Sequence, residues 1–133
     1  MKTKLALGIA ALGMVFASVP AMAHHSFAAE FDASKPVKLT GTVTKIEWMN
    51  PHAYFYIDVK DEAGKVKSWG LEMGSPNGLM RQGWTRNSMK VGDEIVVEGS
   101  RAKDGSDIAN ARSVVLGSGE RLFAASSQDS QRQ

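Results

Sequence analysis

The chain has 133 residues, with 16 Lys and Arg against 14 Asp and Glu, three His, seven Met, three Trp and no Cys. That length holds one modest domain, and the absence of Cys excludes disulfides, thiolate nucleophiles, Cys-ligated zinc and iron–sulfur clusters. The three His are then the only borderline nitrogen ligands on offer.

Met1-Lys2-Thr3-Lys4 is a short basic start, Leu5 to Val19 is an apolar or small-residue run of 15, Pro20 breaks it, and Ala21-Met22-Ala23 follows. This is the three-part plan of a secretory signal peptide over residues 1–23, and the run is short of the roughly 20 residues of a membrane span, the alternative being an uncleaved anchor. Cleavage after Ala23 leaves 133 − 23 = 110 residues and removes Lys2 and Lys4, so basic and acidic residues balance at 14 each. The expected mature protein therefore lacks the basic excess on which nucleic-acid binding rests, and nucleic acid is not an expected partner. A periplasmic or secreted location is expected, with no membrane span once the leader is removed.

Residues 24–36 form an entry segment without clear period, in which Phe27 and Phe31, four apart, can staple it to the body. From Val37 the chain reads as strands. Leu39, Gly41 and Val43 alternate and Ile46 and Trp48 continue in opposite parity, so one extra residue near Thr44-Lys45 predicts a β-bulge. After the Asn50-Pro51 turn, Ala53, Phe55, Ile57 and Val59 share one face and His52, Tyr54, Tyr56 and Asp58 the other, which is unusually aromatic for a face turned to solvent. Asp61 to Gly64 reads as a hairpin loop, and the third strand, Lys65 to Met73, places Trp69, Leu71 and Met73 on one face.

Ser75 as N-cap, Pro76 at the first helical position and Leu79-Met80 as buried contacts predict a short helix ended by Gly83, with Trp84 plugging the core. A fourth strand over Ile95 to Gly99, a hairpin turn at Asp104-Gly105-Ser106 and a fifth strand from Ile108 to Leu116 complete the body. The Ser- and Gln-rich residues 124–133 have no apolar period and are expected to be mobile. The order predicts a mainly β fold, a small five-stranded OB-like barrel over residues 37–123 with one short helix between strands 3 and 4, with other small barrels as the alternative.

The histidines fall in an informative pattern. His24 and His25 are the first two residues of the expected mature chain, and an N-terminal His offers its amine and its own ring Nδ1 as a bidentate chelate. His52 is the remaining imidazole. An extended chain covers up to ~3.3–3.6 Å per residue, so the terminus can reach the barrel where His52 opens the second strand. Nitrogen-rich coordination without thiolate favours copper as Cu(II), with zinc next and Ni(II) behind. The set resembles, in ingredients only, the two-histidine brace of copper enzymes and carriers. Met49 is a weaker candidate whose thioether suits Cu(I). Against this stands the bland reading, in which two terminal His are ordinary solvated residues, His52 caps a strand end and Met49 is packing.

The segments HHSF, EWMNPHAYFYIDV, WGLEMGSPN, RQGWTRNSMKVGDEIVVEG and RAKDGS…ANARSV are similar to the small exported bacterial proteins grouped as domain-of-unknown-function family 6152. The resemblance covers almost all of the mature chain. It implies a single exported OB-like domain and supplies no activity, so the metal role of His24, His25 and His52 rests on chemistry alone.

Catalytic readings fare worse. There is no GxSxG elbow, Ser26 and His25 are adjacent and point apart on an extended segment, and GSPNG and GSGE lack the Walker pattern. The Asp61-Glu62 and Asp93-Glu94 pairs lie in predicted turns, where solvated carboxylates are the default. The expectation is thus an exported copper carrier, buffer or sensor with no catalytic residue, whose partners are a metal donor or acceptor or an envelope protein. Its rivals are a metal-free binding module, in which Tyr54 and Tyr56 stack on a sugar, peptide or envelope partner, and an envelope-stress or assembly protein without a small ligand. Ordinary cross-strand pairing is the alternative role of both tyrosines.

Overall fold

The computed structural model describes residues 27–126, so the expected leader, His24, His25 and residues 127–133 lie outside the described residues. A helical turn α1 (Phe27–Glu30) leads into β1 (Phe31–Glu47), followed by β2 (Tyr54–Lys60), β3 (Val66–Glu72), helix α2 (Pro76–Arg81), β4 (Glu94–Ala102), β5 (Ile108–Val115) and β6 (Arg121–Phe123). The sheet runs β3-β2-β1-β4-β5 and closes through a β3–β5 pairing, the single parallel contact in an otherwise antiparallel ring. It is the five-stranded OB-like barrel that the order of elements predicts.

One long strand makes this closure work. β1 pairs with β4 over Pro36 to Thr42 and with β2 over Thr42 to Glu47, so the same strand serves both halves of the ring. The bend between them comes with a register shift between Val43 and Lys45, the expected bulge, which adds local twist where the strand must turn. Val43, Phe55, Ile57, Leu71, Ile95, Val97 and Val114 fill the barrel, each no more than 1% exposed. Trp84 seals one end at 2% exposure, its indole N–H donating to the Phe123 carbonyl at 2.7 Å.

Four boundaries differ from the sequence reading, each for a local reason. β1 starts at Phe31 rather than Val37, because Phe31 pairs with Ala102 and is 3% exposed, while a register shift before Pro36 erases the alternation between them. β4 runs on to Ala102 past Gly99, where a second shift, between Glu98 and Gly99, breaks its period. β6 spans only three residues and is too short to show a period. Ala124 and Ala125, expected in the mobile end, are 0% and 1% exposed, and Ala124 donates to the Arg112 carbonyl and accepts from the Gly74 N–H, both at 2.8 Å.

In α2, Ser75 caps the Gly78 N–H at 3.2 Å as expected, but only Leu79 is buried and Met80 is 49% exposed. Neighbours on a helix point roughly 100° apart, so a helix of 6 residues can turn one of the two toward the barrel.

Candidate metal centre

His52 follows the Asn50–Pro51 cis peptide and leads into β2. Its backbone place is set by its neighbour: Ala53 donates to the Gly74 carbonyl at 3.0 Å and accepts from the Met73 N–H at 2.8 Å. Ala53 points into the core, so His52 takes the opposite direction and stands at the rim of the outer face. The ring Nδ1 lies 2.9 Å from the Met73 carbonyl oxygen. A carbonyl can only accept, so in the neutral ring Nδ1 carries the proton and Nε2 keeps its lone pair. In that tautomer Nε2 is the nitrogen with which His52 could bind a metal.

A carboxylate stands behind the ring. Glu72 Oε1 is 3.5 Å from His52 Nδ1, with side-chain exposures of 13% and 23% respectively, and Glu72 Oε2 accepts from the Tyr54 hydroxyl at 3.2 Å. Tyr54 and Glu72 are register partners of β2 and β3, which brings their side chains to one face. Burial, with the charges of Glu72 and Glu30 and the hydrogen bond to Glu72 adding to it, pushes the Tyr54 phenol up to about 12 from its ordinary 10.0.

The sign follows. A raised phenol favours the protonated, folded state fully below pH 10.0, and that contribution is lost as pH rises through about 12. With two Tyr in the chain, ultraviolet titration of phenolate should show one transition near pH 12 that Tyr54→Phe removes. A titration in which that substitution removes only a transition near pH 10 would contradict the burial of Tyr54.

Tyr56 is engaged differently. Its hydroxyl donates to Glu47 Oε2 at 3.3 Å, Lys45 Nζ lies 5.4 Å from its ring centroid, and its ring edge lies 3.4 Å from where a Cβ on Gly70 would stand. The tyrosine thus covers the bare backbone of its register partner Gly70. The hydrogen bond and charge of Lys45, with Tyr56 contributing, hold the Glu47 carboxyl below its ordinary range. Met49 is 47% exposed on the loop between β1 and β2.

Glu72 was not legible as a site residue. It reads as one outward position of a strand between Leu71 and Met73, and 20 residues (72 − 52) separate it from His52. Among the described residues no group of three or more His, Asp or Glu gathers. What they offer is one fixed imidazole with a carboxylate at its back.

Fold and site define a small closed β-barrel with an oriented imidazole at the rim of its outer face. The chain belongs to the family of unknown function DUF6152, whose model matches residues 11–111. No curated protein matches it by sequence. Among solved structures, it is similar to the N-terminal domain of the PriB protein from Thermoanaerobacter tencongensis, described as dimeric, at 20% identity over 62% of this chain and 96% of that one, with a TM-score of 0.46. Among the described residues no helix is long and apolar enough to cross a membrane.

Proposed function

We propose that this protein is an exported, periplasmic copper-binding protein, a carrier, buffer or sensor, whose ligands are His24, with its free amine and ring, His25 and His52. The observation that supports it most directly is the His52 Nδ1 contact to the Met73 carbonyl at 2.9 Å, which leaves Nε2 as a lone-pair donor. Metal-bound imidazoles nearly always have such a partner on the other ring nitrogen, because it fixes both tautomer and ring direction.

Glu72 fits the same plan. Beside Nδ1 it stands away from the nitrogen that would meet the ion, so it orients and polarises the ring instead of ligating. The charge of Glu30 acts on the Tyr54 hydroxyl, so the chain enters β1 close to this face. His24 precedes Glu30 by six residues (30 − 24), the last of them in the helical turn α1, a reach of up to ~15 Å. A set of nitrogens without thiolate favours Cu(II), with zinc the next fit, and exposed Met49 would add a thioether suited to Cu(I).

The rival reading, a metal-free module that stacks a ligand on Tyr54 and Tyr56, has less support. Both hydroxyls are already engaged by Glu72 and Glu47, and the Tyr56 ring is packed over Gly70.

The test begins with the exported protein, whose intact mass should correspond to a chain starting at His24. It should bind one Cu(II), more weakly as pH falls and the amine and imidazoles take up protons. One extra Ala before His24 keeps all three imidazoles and removes the amine chelate. Its Cu(II) paramagnetic spectrum should change and its affinity fall at least about tenfold, or ~1.4 kcal/mol. Unchanged spectrum and affinity would sink the amine-based site.

A further inference from the structure

Phe31 and Ala102 are buried yet stand outside the barrel core. They are register partners of β1 and β4, and paired residues turn their side chains to one face. Ser100, two residues before Ala102 on β4, shares that face and pairs with Asn110 on β5, which pairs in turn with Glu72 on β3. The flanking Leu71, Ala109 and Ala111 belong to the core, so this row points outward. Outward-facing polar residues are normally wet, yet Asn110 is 2% exposed and Ser100 5%.

Residues 27–31 are clipped to the same face. The Phe27 and Phe31 rings are 5.7 Å apart, Lys103 donates its backbone N–H to the Glu30 carbonyl at 2.9 Å, and its Nζ donates to the Ala28 carbonyl. The charge of Glu30 reaches the hydroxyl of Tyr54, the β2 partner of Glu72 at the other end of the row. Helix α1 buries none of its four residues, so within 27–31 the deep anchor is Phe31.

Beyond Phe31 the chain comes away from β4. The register shifts between Phe31 and Pro36, and Ala33 to Lys35 are exposed. Asp32 accepts the Ser34 N–H at 2.9 Å and its hydroxyl at 2.6 Å, and lies 3.9 Å from Lys35 Nζ. These bonds close within the turn, so they survive a movement of residues 27–31.

The surface under the clip resists being covered. Asn110 Oδ1 is buried with no hydrogen-bond partner among the described residues. Leaving such an oxygen unpaired costs free energy that water returns when it is let in. Burial of Phe31 holds the clip down, and the unpaired oxygen works against it. We infer that residues 27–31 are a strap that opens as a unit about the Asp32–Lys35 turn and uncovers the Ser100–Asn110–Glu72 row beside Tyr54 and His52. Closed, the strap shields this part of the outer face; open, it presents Ser100 and Asn110 to solvent next to the Glu72 carboxylate that backs His52. None of these contacts involves a metal, so the strap is independent of the copper reading.

Hydrogen exchange followed by nuclear magnetic resonance, on metal-free protein expressed from the full sequence, tests the strap. The Lys103 amide reports its opening, because the bond to Glu30 exists only when the strap is down, and the amides of Phe55 and Leu71, each flanked by strands on both sides, report the barrel. Lys103 should exchange at least about 100-fold faster than those two, through a local opening. Asn110→Leu, close in shape and without the unpaired oxygen, should slow Lys103 about tenfold. Phe27→Ala, which removes the ring beside Phe31, should speed it about tenfold. Phe55 and Leu71 should keep their rates in both variants.

Lys103 exchanging as slowly as Phe55 and Leu71 would show that residues 27–31 leave only when the whole barrel unfolds, and would overturn the strap. A Lys103 rate that Asn110→Leu leaves unchanged in an intact barrel would do the same. Should Asn110→Leu loosen the barrel itself, seen as faster exchange at Leu71, Phe27→Ala decides: a faster Lys103 with unchanged barrel amides supports the strap, and an unchanged Lys103 overturns it.

Discussion

Gly99→Ala is expected to destabilise the barrel by about 4 kcal/mol or more, a large part of the ~5–15 kcal/mol that holds a small domain together. A Cβ on Gly99 would stand 1.8 Å from the Asn110 carbonyl oxygen and 2.9 Å from its carbon, and both are backbone atoms that no rotamer change can move aside. The close approach occurs where the β4–β5 register shifts between Glu98 and Gly99. The φ of Gly99 is not in the left-handed region, so the requirement is for space and not for conformational freedom.

To restore a 3.0 Å separation the strands would have to part by about 1.2 Å (3.0 − 1.8). That movement breaks ladder hydrogen bonds and opens the adjacent ring closure between β5 and β3. Urea unfolding of the metal-free protein measures the effect. A midpoint close to that of the unsubstituted protein would show that β4 and β5 do not approach so closely.

His52→Ala is expected to weaken Cu(II) by about 100-fold, or ~2.7 kcal/mol, while leaving the fold in place. The terminal amine and ring would remain as a loose chelate, but ordering a chain segment costs about 1–2 kcal/mol for each residue fixed. His52 offsets part of that by presenting a ring already held by the Met73 carbonyl and backed by Glu72. The barrel should tolerate the change because the bonds of Ala53 to Met73 and Gly74 are main chain and survive it. Competition against a chelator of known affinity reads the loss, and circular dichroism reads the fold. Equal affinity in both proteins would remove His52 from the site and make the Tyr54–Tyr56 face the better lead.

Much of the architecture was legible because it rests on period and turn chemistry. Ala53, Phe55 and Ile57 alternate toward the core as their spacing requires. The parity switch at Thr44-Lys45 marked the bulge, and Ser75-Pro76 marked the start of α2. Signals of this kind are local, since they depend on a few neighbouring residues and on which face of an element is buried. The sequence also determined the chemistry at hand, three imidazoles and no thiol.

The partnerships were decided by the tertiary structure. Glu72 meets His52 only because β2 and β3 pair in the register that sets Tyr54 opposite Glu72. Asn110 stands opposite Glu72 only because the barrel closes through the parallel β3–β5 contact, and Phe31 becomes a strand residue only because Ala102 receives it. Residues far apart in the chain are brought together by closure of the ring, and no local period encodes which register that closure adopts. The sequence by itself thus determined which elements form and which ligands exist. Closure of the barrel decided which side chains stand beside His52, and the Met73 carbonyl decided which of its nitrogens is free.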